Sequence, residues 1–395
     1  MELAAVMSVI SAYQPYAVRL RREFHRSPEL SGQEFQTRKI LVRELKEMDI
    51  PYRLLPGTGI IAELKGDLPG KNKLLRADMD ALPVKECAEN LSAPKVCVSE
   101  TENISHACGH DAHMAMLLSA MHVLNELRHI LCGTVYCCFE EGEETNCGYP
   151  AMLQALEEYQ IDSCFALHVY SGLTSGKISL EAGDRMAGQL RIGVRFCGKA
   201  GHGSRPDQAI NPIIPAAHMV TQLHSAFMNQ LDPESPLTLG ICQLNAGSAY
   251  NVIPEYADLG GSVRYFRPET GERALEIICK LAEATAACHK CTVIFDKENR
   301  ISLPPVINDE QVVRSVRKTM QEISGADRVF QACPHWYASE TFSKYLERYP
   351  GALGLVGIRN ERCGFGAPHH SERFDVDESA MVHGICAEVA FALAP

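Results

Sequence analysis

The stretch TVYCCFEEGEET, residues 134–145, joins an apolar run to a dense group of acids. The apolar part, Thr134 to Phe139, is rich in β-branched and aromatic side chains and predicts a buried strand. Two further runs, Lys73 to Arg76 and Cys164 to Leu167, predict buried strands of the same kind. Longer helical patterns lie between the runs, and this alternation predicts an α/β layer fold.

Polar residues follow the carboxyl ends of the three predicted strands. They are Asp78 with Asp80, Glu143 with Glu144, and His168. In open α/β sheets the ligand crevice lies beyond the carboxyl ends of the strands. We therefore expect these side chains to converge on one site.

A second pattern begins near Ala187. Apolar and polar residues alternate over 190–196, which is typical of a strand with one solvated face. From there to Phe295 the order is strand, helix, strand, strand, helix, strand, which predicts a ferredoxin-like α+β domain. The predicted organisation is a catalytic domain in two parts, residues 1–187 and 299–395, interrupted by an inserted lid or dimerisation domain at 188–298.

Composition excludes several classes of partner. The formal net charge of -11 and the absence of basic runs argue against nucleic acid. No stretch is apolar and long enough to predict a membrane span, and the first residues do not resemble a signal peptide. The 16 cysteines are spaced irregularly, without a disulfide framework. These features predict a cytoplasmic protein.

The segment HACGHDAH, residues 106–113, is the densest group of metal-competent side chains. Thiolate and neutral imidazole are ligands that zinc and similar metals prefer, so Cys108 and His110 are candidate ligands. Gly109 between them permits a sharp backbone turn. A helix is predicted to follow, from Met114 to Leu127. For any one of these residues alone, a buried structural role would be the commoner explanation.

Acids and histidines elsewhere complete a candidate metal site. Of the adjacent carboxylates Glu143 and Glu144, one can bind a metal while the other acts as a general base. His168 closes an apolar strand, and the pair His369 and His370 lies near the C-terminus. A lone histidine on a strand is more often a core residue, but the position of His168 at the crevice favours function.

Several motifs resemble the metallo-aminoacylase and carboxypeptidase superfamily, most closely its hippurate hydrolases, auxin-conjugate hydrolases and N-acetyl-diaminopimelate deacetylases. The resemblance covers nearly the whole chain. It implies a di-metal exopeptidase-like catalytic domain, with a mixed sheet and helices on both faces, that hydrolyses the amide bond of N-acyl amino acids or short peptides. The motifs are REFHRSPEL at 22–30, RADMDALP at 76–83, HACGHDAH at 106–113, GHG at 201–203, NVIP at 251–254 and HSERFD at 370–375.

The resemblance also implies a role for individual residues. Glu143 would be the general base, and Asp80 would orient a metal ligand. Two divalent metals, zinc or manganese in the first place and cobalt or nickel as alternatives, would be held by Cys108, His110, Glu144, His168 and His370.

In the inserted domain the resemblance points to substrate contacts. His202 and Asn251 would contact the substrate and its oxyanion, with His202 reaching the active site of a partner subunit in a homodimer. Arg264 is a candidate for the substrate carboxylate, although a surface ion pair explains it equally well.

Two segments depart from the family pattern. Where the family usually reads FQPAEEG, this chain reads FEEGEET at 139–145, so that two further acids precede its Glu pair. We expect these acids to weaken or retune metal binding. The usual SEDF reads SETF at 339–342, and Trp336 and Tyr337 replace small residues. Bulky aromatics near a crevice predict a differently shaped substrate pocket.

Two other functions remain open from the sequence. In a thiol hydrolase, Cys108 would be the nucleophile, with His110 or His113 as its base. In a non-catalytic binding protein, the fold would bind metal or ligand without turnover. Chelators inactivate only the metal hydrolase, whereas alkylating agents inactivate the thiol enzyme whatever the metal.

Overall fold

The computed structural model describes residues 3–325 and 329–395. The chain forms two compact units. The first comprises Met1–Gly183, Ile307–Pro334 and Lys344–Pro395, and the second comprises Asp184–Val306 and His335–Ser343. The main segment of the second unit therefore extends beyond both ends of the range 188–298 predicted for the inserted domain. It gains His335–Ser343 because the Trp336 backbone N–H donates to the Arg185 carbonyl and the Trp336 carbonyl accepts from the Ala187 N–H.

Helices and strands alternate along the chain. The helices are α1 Leu3–Ala12, α2 Gln14–Arg26, α3 Phe35–Glu47, α4 His110–Glu126, α5 Tyr149–Leu156, α6 Ile213–Gln230, α7 Pro268–Cys288, α8 Glu310–Ser324, α9 Ser343–Leu346 and α10 Met381–Leu393. The strands are β1 Tyr52–Leu54, β2 Ile60–Lys65, β3 Lys73–Asp78, β4 Thr134–Glu140, β5 Ser163–Thr174, β6 Ile178–Ser179, β7 Gly183–Met186, β8 Gly188–Cys197, β9 Gly201–His202, β10 Leu237–Ala246, β11 Val252–Ile253, β12 Tyr256–Tyr265, β13 Thr292–Phe295, β14 Ile301–Leu303, β15 Val306–Asn308 and β16 Gly351–Arg359.

The first unit is built on a mixed seven-stranded sheet with the order β1-β2-β4-β3-β5-β16-β6. Its central strands β4, β3, β5 and β16 run parallel, and the outer strands are antiparallel. Strands β3 and β4 are buried along nearly their whole length, as expected for parallel strands covered by helices. The predicted α/β fold is confirmed, and the three predicted buried strands lie within β3, β4 and β5.

Helix α4 begins earlier than the predicted Met114, at His110. Gly109 precedes it with φ of +90°, a left-handed conformation that glycine adopts without strain. A side chain at Gly109 would also lie 2.4 Å from Val169 Cγ2, so glycine lets the helix approach β5 closely. As a consequence His110 and His113 occupy the first turn and, three residues apart, share one face.

The second unit contains the strand and helix order predicted for a ferredoxin-like domain. Its sheet has the order β10-β12-β8-β13, and α6 and α7 pack their apolar residues onto it in a separate hydrophobic core. Strand β10 lies at the edge of this sheet, paired only on its β12 side in that order. Within the described ranges, we find no helix with the length and apolar character needed to cross a membrane.

Candidate metal centre

The five predicted metal ligands lie together in the first unit. His370 Nε2 is 3.4 Å and His110 Nε2 is 3.9 Å from Glu144 Oε1. Cys108 Sγ is 3.6 Å from His168 Nε2. One ligand atom each from Cys108, Glu144 and His370 falls within 4.8 Å of the others, and the same is true of His110, Glu143 and Glu144. A thiol, two carboxylates and three imidazoles thus converge. Glu143 and Glu144 follow the end of β4 as predicted, whereas His168 lies within β5, which continues to Thr174 instead of ending before the histidine.

Asp80 determines which nitrogen of His110 faces the cluster. Its Oδ1 lies 3.2 Å from His110 Nδ1, so Nδ1 carries the donated proton and Nε2 points toward Glu144. The other oxygen, Oδ2, accepts from the Ser31 hydroxyl at 2.6 Å and from the Glu144 backbone N–H at 3.0 Å. One buried carboxylate therefore orients an imidazole and also fixes the backbone that carries Glu144.

Val169 sets the tautomers of two further histidines through its backbone. His168 Nδ1 donates to the Val169 carbonyl at 2.7 Å, which leaves His168 Nε2 as the nitrogen that faces Cys108. The Val169 N–H donates to His113 Nε2 at 2.9 Å, and His113 Nδ1 donates to Asp78 Oδ1 at 2.6 Å. His113 therefore uses both nitrogens in the protein, whereas His168 directs Nε2 into the cluster.

In the protein without metal, the surroundings of Cys108 favour the protonated thiol over the thiolate that binds metals. Burial raises the pKa of the Cys108 thiol well above its ordinary value, and Glu144 raises it further. Burial lowers the pKa of His110, but Asp78 and Cys108 outweigh it and hold that pKa well above its ordinary value. A bound cation reverses these preferences because it selects thiolate and unprotonated imidazole.

The acids at the end of β4 and in the loop after it divide into two pairs. Glu140 and Glu141, here called the outer pair, are bound by protein groups. Glu140 pairs with Arg76 Nη2 at 3.0 Å and accepts from the Tyr345 hydroxyl. Glu141 accepts from the Thr58 hydroxyl at 2.7 Å and from backbone N–H groups beside it.

Glu143 and Glu144, here called the inner pair, belong instead to the groups of possible metal ligands. Among the residues that the structure describes, the buried atoms Glu144 Oε1 and His110 Nε2 have no hydrogen-bond partner. Buried polar atoms normally have one, and a cation bound between these two would satisfy both. The two acids that precede the Glu pair, Glu140 and Glu141, thus form hydrogen bonds or an ion pair with Arg76, Tyr345 and Thr58.

Asp111, although part of the HACGHDAH segment, takes part in a different network. Its Oδ2 is 2.9 Å from Arg21 Nε and 2.8 Å from His25 Nδ1, and His25 Nε2 lies 3.0 Å from Glu86. Burial raises the pKa of Asp111, but Arg21 and His25 overcome this and hold it far below its ordinary value. This network ties the start of α4 to α2, and Asp111 serves the fold.

The predicted substrate residues belong to the second unit. His202 lies in β9, beside Val252 of β11, and its Nδ1 accepts from the Ser204 hydroxyl at 2.8 Å and backbone N–H at 3.1 Å. The His202 proton therefore resides on Nε2. Asn251 precedes β11, and its carbonyl accepts from the Gly203 N–H at 2.7 Å.

The segment His335–Ser343, which contains the second departure from the family pattern, also lies in the second unit. Arg264 Nη1 donates to the Ser339 hydroxyl at 2.5 Å. Burial, and then the nearby Arg191, lower the pKa of Arg264. Tyr337 packs edge to face on Phe266 with ring centroids 4.9 Å apart. One of the two aromatic residues that depart from the family pattern, Tyr337, thus packs on a ring next to the end of β12.

The sequence indicates Asp80 as a residue that orients a ligand, but not the other groups that do so. Ser31 and Val169 act on Asp80, His168 and His113 through one hydroxyl and one peptide unit, for which the sequence carries no signal. His369 was considered only as an alternative to His370. Its Nδ1 lies 3.8 Å from Cys108 Sγ, and the adjacent pair of histidines is the one signal that marks it.

Comparison with known proteins gives consistent matches along the chain. The sequence profile described as "Peptidase family M20/M25/M40" matches residues 74–394. IAA-amino acid hydrolase ILR1-like 2 from Arabidopsis thaliana is 32% identical over 384 residues, which cover 96% of this chain and 84% of the plant protein. Thermostable carboxypeptidase 2 from Saccharolobus solfataricus is 30% identical over 390 residues, covering 97% and 96% of the two chains.

Solved structures give the same result. A Bacillus subtilis protein described as a dinuclear metal binding peptidase from the M20 family superposes with a TM-score of 0.82 at 28% identity, covering 96% of this chain and 98% of that one. A putative aminohydrolase from methicillin-resistant Staphylococcus aureus superposes with a TM-score of 0.91 at 26% identity, covering 98% of both chains.

Proposed function

The chain belongs to peptidase family M20/M25/M40 and is an amide-bond hydrolase, and on that premise we propose that it cleaves N-acyl amino acids or short peptides at a centre of two divalent cations. One observation carries the proposal. The Nε2 atoms of His110, His168 and His370 face the Cys108 thiol or the Glu144 carboxylate, with the first two imidazoles oriented by bonds to their Nδ1 atoms.

The donor set fits divalent cations. Thiolate, imidazole and carboxylate together suit zinc, and manganese is the second choice, with cobalt and nickel also compatible. The buried Glu144 Oε1 and His110 Nε2, which lack another hydrogen-bond partner among the described residues, would be satisfied by an ion. The side chain of His370 is 51% exposed, so this flank of the cluster is open to substrate and water. When bound at these residues, two such ions would supply Lewis-acid polarisation of a scissile carbonyl and would lower the pKa of a water toward about 7.

Glu143 is proposed as the general base. It is only 8% exposed, and its carboxylate groups with His110 and Glu144. In this position it accepts a proton from the attacking water and passes it to the leaving amine nitrogen, so that one carboxylate serves both steps. Asp80 acts indirectly, because it holds His110 and the Glu144 backbone in place.

The second unit supplies the proposed substrate contacts. Since Ser204 occupies His202 Nδ1, the Nε2–H of His202 is available to stabilise the oxyanion, which we propose it does in the active site of a partner subunit. Asn251 is proposed to assist it. Arg264 is proposed to bind the substrate carboxylate: among the described residues its hydrogen-bond partner is the neutral Ser339 hydroxyl, which leaves its charge for an anionic ligand.

A homodimer and a cytoplasmic location complete the proposal. Strand β10 offers an unpaired edge in the order of the second sheet, and outward residues such as Leu244, 47% exposed, make it suitable for pairing with a second copy. All 16 cysteines are free thiols in the structure, which suits a reducing compartment.

A metal-restoration screen tests the function. Protein stripped with a chelator is reconstituted with zinc, manganese, cobalt or nickel and assayed on N-acyl amino acids, dipeptides and matched N-acyl amino acid amides that lack the free carboxylate. We expect turnover only with metal and a preference for substrates with a free carboxylate.

Two results of the screen would refute the proposal. Activity that persists in chelator and is abolished by alkylation would identify Cys108 as a nucleophile. Bound metal without turnover on any substrate would identify a binding protein.

A further inference from the structure

We propose that His369 is a positioning residue for Cys108, holding the metal-binding thiolate through a donated N–H without binding a cation itself. This inference rests on the proposed two-metal centre. It concerns a residue that the family resemblance leaves without a role, since the resemblance selects His370 from the adjacent pair.

The hydrogen bonds of His369 determine its tautomer. The backbone N–H of Ser171 donates to His369 Nε2 at 3.2 Å, so Nε2 is an acceptor and Nδ1 carries the proton. That Nδ1 lies 3.8 Å from Cys108 Sγ. The lone pair that would bind a metal is therefore directed at a peptide N–H, and the proton is directed at Cys108, where Sγ and the backbone carbonyl are both acceptors.

The backbone explains why two adjacent histidines act differently. His370 has φ of +64°, in the left-handed region that residues with a side chain seldom adopt. With this conformation, His369 faces Ser171 and Cys108 while His370 Nε2 faces Glu144 at 3.4 Å. Strain of this kind persists where the surrounding structure requires it, commonly at functional sites.

Packing keeps the His369 ring in this orientation. The ring stacks on Tyr170 at 6.1 Å between centroids with an interplanar angle of 14°, and lies 4.8 Å from the ring of Phe374. His168, itself a proposed ligand, meets it edge to face at 5.5 Å. The donor is therefore held by β5 on one side and by the segment after His370 on the other.

A donor on a thiolate changes the bond that the thiolate makes to a metal. A hydrogen bond to an ionised sulfur is charge-assisted and withdraws electron density from it. Loss of such a contact next to a metal ligand typically lowers metal affinity or activity by ~10–100-fold, while the number of ligands is unchanged. His369 should consequently affect how strongly the centre holds its ions, and not how many ions it holds.

Two substitutions separate positioning from ligation. His369→Leu removes both nitrogens. His369→Asn retains an N–H donor close to the position of Nδ1. As a matched control, His383→Leu replaces a half-buried histidine of α10 that lies beside Gly176. Each full-length protein is loaded with Co²⁺, and the ion count, the affinity against a competing chelator and the sulfur-to-cobalt charge-transfer absorption are measured.

We expect His369→Leu to bind two Co²⁺ per chain with affinity lowered ~10–100-fold and a shifted charge-transfer band. His369→Asn should recover most of the affinity and the wild-type band position, and His383→Leu should match the wild type. Circular dichroism verifies that each variant is folded, and the Asn variant decides the outcome if the Leu variant is not.

Three results would overturn the inference. Loss of one ion in His369→Leu with the charge-transfer band unmoved would make His369 a ligand. If His369→Leu keeps the wild-type metal affinity and the wild-type position of the charge-transfer band, His369 does not act on the thiolate. A wild-type protein that binds no Co²⁺ would refute the proposed metal centre and this inference with it, whereas a wild type that binds two ions without hydrolysing any substrate would refute only the catalytic part of the proposed function.

Discussion

The outer and inner glutamate pairs, at the end of β4 and in the loop after it, are separated by one glycine, yet their surroundings differ. The outer pair, Glu140 and Glu141, is bound by Arg76, Tyr345 and Thr58. The inner pair, Glu143 and Glu144, lies among a thiol and imidazoles and includes a buried oxygen without a hydrogen-bond partner among the described residues. Gly142, with φ of +60°, turns the chain between the pairs.

The comparison shows that a dense run of acids does not by itself define a metal site. Donors from the protein satisfy the outer pair, so its charges stabilise the loop. The inner pair lies instead among possible metal ligands, and a bound cation would balance its charges. Substitutions in the two pairs should accordingly have different consequences, the inner ones for turnover and metal and the outer ones for stability.

The largest effect is expected from Glu143→Gln. The amide has the same shape but cannot accept the proton of the attacking water, so kcat should fall by ~10²–10⁴-fold while both ions remain bound. Steady-state kinetics on the best substrate of the metal screen, with metal analysis of the same sample, measure this. A variant within tenfold of the wild type would exclude Glu143 as the base.

A smaller effect, on stability, is expected from Glu140→Gln. It removes the carboxylate partner of the fully buried Arg76 Nη2, and breaking a buried ion pair in this way costs about 3 kcal/mol. Chemical denaturation of the metal-loaded protein should show a lower midpoint with an unchanged ion count. Tyr345→Phe, which removes only the hydroxyl that donates to Glu140, should cost less. Loss of an ion from either variant would abolish the distinction between the pairs.

Glu141→Gln should have a milder effect of about 1 kcal/mol, because neutral hydrogen bonds to Thr58 and Gly59 replace charge-assisted ones. Metal affinity should stay at the wild-type value, measured by chelator competition. A decrease comparable to that of Glu144→Gln would show that Glu141 contributes to the metal centre.

The smallest effect concerns pH and Glu34, which supports the outer pair. Its Oε2 lies 2.6 Å from the Thr58 hydroxyl, which is also 2.7 Å from Glu141. A hydroxyl has one proton, so one carboxyl must contribute a second. Burial raises the pKa of Glu34 above its ordinary value of 4.5, which favours the protonated form of this carboxyl.

The raised pKa fixes the sign of the pH dependence. The stability contributed by protonated Glu34 is complete below pH 4.5 and is lost as the pH rises through the raised value. The Gln side chain of Glu34→Gln cannot lose a proton. As the pH rises from 4.5 through the raised pKa of Glu34, the melting temperature of this variant should therefore increase relative to that of the wild type. A difference in melting temperature between the two proteins that is the same at every pH would contradict the assignment.

Much of the fold could be predicted from sequence. Buried strands such as β4 form continuous apolar runs, and the alternation in β8 reveals a sheet with one solvated face. The predicted family, fold and amide-hydrolase activity are confirmed. The predicted start of α4, Met114, is wrong by about one turn, since the helix begins at His110. The helix propensities of residues 110–113 give no sign of this, because the start depends on the left-handed conformation of Gly109.

The site was predictable in its side chains but not in its supporting contacts. Cys108 and His110 stand out in the sequence because metal-competent residues are rare at such density. The bonds that orient His113, His168 and His369 come from the peptide groups of Val169 and Ser171, which any residue except proline provides. The roles of the individual ligands therefore remain predictions that depend on tertiary structure.

Native mass spectrometry of the wild type, Glu144→Gln and Glu141→Gln, prepared side by side with the same metal, tests the central claim most directly. The account predicts two ions per chain in the wild type and in Glu141→Gln, and fewer in Glu144→Gln. An equal number of ions in all three proteins, or none in the wild type, would contradict it.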